Sequence, residues 1–285
     1  MMGSYKVKFR QLQQHPELPK ILEALEKGFD KHRVDFYLVG AVARDLWMTA
    51  INGIPPNRIT RDIDFAVLIN DKGTYESLKA YLIQKEGFQP VKENAFVLMW
   101  KGMIQVDLLP FGDITDNGAK VSIEGIGLTS LNMPGFMEVY EAGLPKVELE
   151  GKHKFKFCTL PGIVILKLLA WQDRPEIRKD DIKDVGTLLQ HFFDMYADQI
   201  YTDHSDLFGD PEFDLPHIAA RVMGREMKKI THKNTELYSG LADLLERNTE
   251  SLPTSQMAIS LSGFFDTTVD VYFEILQELK KGFEE

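Results

Sequence analysis

Between Asp62 and Ile69 the chain alternates carboxylates with apolar side chains. With the two-residue period of a β-strand, Asp62 and Asp64 share one face, and Ile63, Phe65 and Val67 share the other. The apolar face needs a core behind it, so the chain has to build a sheet with one covered side. Met103 to Leu109 repeats the pattern. Ile104, Val106 and Leu108 point one way, and Gln105 and Asp107 the other. Phe96 to Trp100 reads as its hairpin partner, joined by the two-residue turn Lys101-Gly102.

Other segments follow from periodicity. Pro19 to Lys31 predicts an amphipathic helix with Ile21, Leu22, Leu25 and Phe29 on one face. Phe36 to Val39 predicts a short buried strand, ended by Gly40, and Ala41 to Thr49 a helix. Asn52 to Asn57 reads as a loop and Tyr75 to Gln84 as a helix. Lys120 to Glu124, Met137 to Glu141, Lys146 to Leu149 and His153 to Phe157 are β-like, and from Pro161 onward the pattern is helical. The expected class is α+β: a mixed β-sheet with flanking helices, then a helical C-terminal region. The expected domains are residues 1–158 and 159–285.

Charge also divides the chain. The net charge is −10. Residues 186–285 carry 8 Lys/Arg against 18 Asp/Glu, and residues 1–185 are balanced. So acidic a chain is no general nucleic-acid coat. The acidic run Asp194 to Asp214 reads as a surface loop. Arg221, Arg225, Lys228, Lys229 and Lys233 form one basic stripe at helical spacing. Pairing with neighbouring carboxylates is the favoured account of it, ahead of contact with RNA phosphate. Cys158 is the single cysteine, which excludes an intrachain disulfide and a cysteine zinc cage. No i,i+4 histidine pair occurs. The apolar stretch Ile163 to Trp171 is too short to span a membrane and contains Lys167. The expected compartment is the cytoplasm.

The chemistry rests on the carboxylates. Two on one strand face repel, and a cation between them relieves the repulsion. Hard oxygen donors suit Mg²⁺ or Mn²⁺. With its strand beside the first, Asp107 completes a three-carboxylate set that would hold two metal ions for in-line phosphoryl or nucleotidyl transfer. Alternation by itself also produces a solvated strand face, so the turn upstream matters. Tyr37-Leu38-Val39-Gly40 is a strand closed by glycine at a helix start, where free backbone N–H groups suit phosphate. Lys167 lies within an apolar helix, where an ammonium needs a partner or an anion.

Three segments together resemble a family. Tyr37-Leu-Val-Gly-Ala-Val-Ala-Arg-Asp45, Asp62-Ile-Asp-Phe65 and Val106-Asp-Leu108 look like the nucleotidyltransferase superfamily of DNA polymerase β and the CCA-adding enzymes. Arg58-x-Thr60-x-Asp62-x-Asp64, with Lys167 and the later Arg174, Arg178, Asp181 and Asp184, is most similar to AbiEii-type enzymes, which include toxins of type IV toxin–antitoxin systems. The resemblance covers residues 34–190. It implies transfer of an NMP from an NTP to a hydroxyl acceptor such as tRNA or protein, with an antitoxin as partner. A CCA-like RNA-tailing enzyme and a degenerate nucleotide- or partner-binding module are the alternatives. It further implies that Asp62, Asp64 and Asp107 hold metal, and that Gly40, Ala41, Arg44, Arg58, Thr60 and Lys167 bind the nucleotide. Asp181 and Asp184 orient Lys167 or meet the acceptor, and the helical region completes the cleft. Ala41 departs from the usual Gly or Ser and offers only its N–H. On this reading Lys167→Met loses activity but folds at least as well as the native chain.

Overall fold

The computed structural model describes residues 3–12, 15–56, 60, 62–116, 119–209 and 214–285. The chain divides into two compact units, Met1–Thr159 and Leu160–Glu285.

The first unit is built on β1 (Ser4–Val7), α1 (Leu18–His32), β2 (Phe36–Val39), α2 (Gly40–Asp45), β3 (Asp62–Leu68) and α3 (Lys72–Lys85). There follow β4 (Phe88–Val91), β5 (Asn94–Trp100), β6 (Ile104–Phe111), β7 (Lys120–Ser122), β8 (Ser130–Asn132), α4 (Phe136–Glu141), β9 (Lys146–Leu149) and β10 (His153–Phe157). Eight strands form one mixed sheet in the order β1-β9-β10-β2-β3-β6-β5-β4. β3 and β6 run parallel at its centre, and β2 is antiparallel to β3. Ile63, Phe65, Val67, Val106 and Leu108 are all buried, as the alternation requires. In the β5–β6 turn, Lys101 and Gly102 have φ of 48° and 68°. Two left-handed residues in succession match the right-handed twist of the strands they join. The edge strand β4 carries Pro90, where a missing N–H is tolerated.

α1 buries Ile21, Leu22, Leu25 and Phe29 and ends at Arg33, whose φ is 54°. Asp71 caps α3 by accepting from the Thr74 N–H at 2.8 Å. α2 continues without a break into a wider, π-type turn, Leu46–Ile51.

The second unit consists of α5 (Leu160–Asp173), α6 (Lys179–Asp203), α7 (Leu215–Thr231), α8 (Thr235–Thr249), α9 (Gln256–Phe265) and α10 (Val269–Glu284). The chain is thus α+β, with a large mixed sheet and a helical C-terminal region. None of the described helices is long and apolar enough to cross a membrane.

Two local expectations are corrected. Met137–Glu141 lies in helix α4, not in a strand. Gly135, with φ of 87°, turns the chain into it, and Val139 is its one buried side chain. The alternation there is an accident of a short helix whose other side chains are mostly half-buried. From Asp194 to Asp203 the acidic run is not a loop either, and residues 210–213 of it lie outside the described residues. α6 extends to Asp203, because Phe192 and Ile200 recur at helical spacing and are buried. Tyr196 stacks on Phe192 with ring centroids 4.9 Å apart. The aspartates occupy the outer face of that helix.

Candidate active site

Pairing between β3 and β6 places Asp64 directly opposite Asp107, and Asp62 opposite Gln105. Parallel strands lie about 4.8 Å apart, and in-register residues project to the same face. Asp64 and Asp107 are therefore neighbours across the strands, and Asp62 follows about 7 Å along β3. Gln105 Nε2 donates to Asp107 Oδ1 at 2.8 Å. A donor aimed at a carboxylate fixes its rotamer. Asp64 and Asp107 are half-buried and Asp62 is exposed. Among the described residues, no group of three or more His, Cys, Asp or Glu is arranged to hold a metal ion. The carboxylates thus meet as a close pair with a third one pleat away, and not as a closed cage.

On the other side of β3, Val39 pairs with Asp64, so the following residue, Gly40, turns over that carboxylate. Gly40 has φ of 67°. A Cβ built there would lie 2.1 Å from Asp64 Oδ2. Only glycine fits both the left-handed backbone and the close approach. The strand–turn–helix read from Tyr37 to Arg44 is therefore tied to the carboxylate strand by contact.

The other residues singled out in the sequence fall elsewhere. Ala41 and Thr60 are buried. Arg58 lies outside the described residues. Arg44 is 1 % exposed, and its Nε and Nη2 donate to Asp45 Oδ1 at 3.0 and 2.7 Å. Its guanidinium is thus buried and paired with the adjacent carboxylate.

In the second unit, Lys167 of α5 is 6 % exposed. Its Nζ lies 2.8 Å from Asp181 Oδ1 and 2.8 Å from Asp184 Oδ2, one turn apart on α6. Burial works against the ammonium, but the charges and hydrogen bonds of the two aspartates outweigh it and raise its pKa above the usual lysine range. Arg178 Nη1 stands 3.6 Å from the other oxygen of Asp181. The structure thus brings Lys167, Asp181 and Asp184 together as a buried ion-paired triad.

No protein-family model matches the chain, and no curated protein sequence matches it. Solved structures do. The antibiotic-resistance factor ANT(2'')-Ia is 13% identical over 66% of this chain and 98% of its own, with a TM-score of 0.36. A CCA-adding enzyme in complex with CTP is 15% identical over 94% of this chain and 67% of its own, with a TM-score of 0.32. The Thermotoga maritima CCA-adding enzyme complexed with tRNA is 12% identical over 94% and 81%, with a TM-score of 0.25. At such scores the chemistry has to be read from the side chains themselves.

Some residues around the site escaped the sequence. Gln105 shares a strand face with Asp107, so its hydrogen bond was legible from an i,i+2 spacing. His15 was not. Its Nε2 lies 3.0 Å from Asp45 Oδ2, across 30 residues of chain. No periodicity connects a residue before α1 to one at the end of α2.

Proposed function

We propose that this protein is a metal-dependent nucleotidyltransferase that moves an NMP group from an NTP to a hydroxyl acceptor. One observation carries the reading: Asp64 and Asp107 stand in register on adjacent strands, beneath a glycine turn that tolerates no side chain. Paired hard carboxylates fit Mg²⁺ or Mn²⁺, since Mg²⁺ takes one or two carboxylates and completes its shell with water and substrate phosphates. Asp64 and Asp107, with Asp62 beside them, would hold it, and once bound it would supply positive charge for the phosphoryl oxygens.

The chain's own groups define the rest. The bare backbone of Gly40 and the N–H of Ala41 face the triphosphate. Asp107, oriented by Gln105, accepts the proton of the acceptor hydroxyl. The acceptor oxygen bonds to the α-phosphorus as the bond to the departing pyrophosphate breaks. Positioning and fixed charge supply most of the rate. In its narrower form the enzyme is AbiEii-like, with a tRNA end or a protein hydroxyl as acceptor and an antitoxin as partner. The segment Arg58-x-Thr60-x-Asp62-x-Asp64 supports that form. Lys167, Asp181 and Asp184 are given no nucleotide contact in this reading, because they already satisfy one another.

The test is incubation with each α-³²P-labelled NTP, Mg²⁺, and total cellular RNA or protein. One NTP should label a discrete species with the native protein and fail to do so with Asp64→Asn. No label from any of the four would sink the proposal.

A further inference from the structure

We infer that Gln11 and His15 are positioning residues, which clamp the helix behind Gly40 and so hold the turn over Asp64. The inference rests on the nucleotidyl-transfer reading of that site. Phe9–Leu12 forms a 3-10 turn ahead of α1, with Leu12 fully buried. Gln11 of this turn and His15, just before α1, reach the helix that starts at Gly40. His15 Nε2 meets Asp45 Oδ2 at 3.0 Å, and Gln11 Nε2 donates to the Ala50 carbonyl at 2.7 Å. Asp45 is fully buried and takes Arg44 on its other oxygen. His15 is itself 4 % exposed. The two grips are thus one at the end of α2 and one within its π-type extension.

The physical argument is leverage. Gly40 tolerates no displacement toward Asp64, since there is no room even for a methyl group between them. α2 is only six residues long and has no side-chain cap at its start. Its position is therefore set from its far end. A buried carboxylate held on both oxygens is a rigid anchor, because releasing either partner leaves an unsatisfied charge away from water. Gln11 fixes the wider turn beyond, where a π-type ladder is intrinsically less regular.

The test compares the native protein with His15→Ala, His15→Gln and Gln11→Ala. Read out are thermal melting, kcat and KM for the NTP, affinity for the four α,β-methylene NTP analogues with Mg²⁺, and amide hydrogen exchange across residues 40–51. His15→Ala should melt several degrees lower yet remain folded at 15 °C. There it should show faster exchange over 40–51 and a kcat down by roughly a hundredfold, the scale of an ångström-sized misplacement. KM should rise much less than kcat falls. His15→Gln should restore both, because its Nε2 can stand where the imidazole Nε2 stood. Gln11→Ala, outside the buried ion pair, should show the same pattern more weakly, and it carries the test if His15→Ala does not fold. Folded variants with native kcat and native exchange overturn the proposal. A native protein that turns over no NTP and binds no analogue overturns the transferase reading, and the positioning role with it. Unchanged activity in the variants of an active enzyme overturns the positioning role alone.

Discussion

Gly40 and Lys167, both singled out by the sequence, behave differently once their surroundings are fixed. At Gly40, alanine must adopt a left-handed backbone, at a cost of about 1–2 kcal/mol, and must push the Asp64 carboxylate aside. Gly40→Ala should therefore remain folded, with a slightly lowered urea midpoint, while nucleotidyl transfer falls by about a hundredfold or more. Unaltered transfer would show that the turn does not matter to the site. Lys167 was expected to be replaceable by methionine without loss of stability, because an ammonium among apolar neighbours is expensive. The structure reverses that expectation. Removing Lys167 takes the cation from Asp184, which is 1 % exposed, and leaves Asp181 with Arg178. Breaking a buried pair from one side costs about 3–5 kcal/mol, so Lys167→Met should lose much of its stability by chemical denaturation. A native-like denaturation curve would show that Asp181 and Asp184 find other partners. The sequence announced an anomaly at Lys167 correctly. It did not say whether the counter-charge was a nucleotide or two aspartates, because those aspartates lie on the next helix.

Among the elements, α7 and α10 cross at a point where neither carries a side chain. A Cβ on Gly224 would lie 2.1 Å from the Leu279 carbonyl oxygen, and one on Gly282 would lie 1.9 Å from that of Arg221. Backbone cannot yield as a rotamer does, so Gly282→Ala should destabilise by at least the roughly 1–3 kcal/mol typical of overpacking. Calorimetry on the full chain checks this, and an unshifted melt would mean that the helices slide apart freely. The same two helices decide the fate of the basic stripe. Arg221 pairs with Glu278 and Glu285 at 2.7 Å. Arg225 pairs with Asp206 at 2.7 Å and with Glu285, and Lys228 donates to the Glu284 carbonyl at 2.7 Å. Lys229 pairs with Glu226. Arg221, Arg225, Lys228 and Lys229 are thus engaged within their own unit, while Lys233 lies exposed beyond the end of α7. Reversing Arg225 and Lys229 together should lower the melting temperature and leave the salt dependence of any RNA binding unchanged. A flatter salt slope would instead make these residues phosphate contacts. Periodicity revealed the stripe, but apart from Glu226 the carboxylates that cover it come from other segments.

For the whole molecule, metal and fold should separate. Among the described residues no cluster of His, Cys, Asp and Glu is arranged as a cage for a structural ion, and Asp64 and Asp107 sit within a sheet that its core already holds. EDTA should therefore abolish transfer while leaving the thermal melt within about a degree of its value in Mg²⁺, and added Mg²⁺ should restore activity. A melt that collapses in EDTA would reveal a structural metal. Architecture was legible in the chain because hydrophobic periodicity is local: strand alternation at Asp62–Leu68 and Ile104–Phe111, and helical spacing after Pro161, need only neighbouring residues. A helix as short as α4 defeats the same method, since one buried side chain sets no period. The face shared by Asp62 and Asp64 was equally local. That Asp107 stands beside Asp64 depends on strand order and register, set by which strands bury their apolar faces together across 43 positions of chain. The partners of Lys167 and Arg225 were decided in the same way. Charges taken out of water must be paired, and which charge pairs with which is fixed only when the chain has packed.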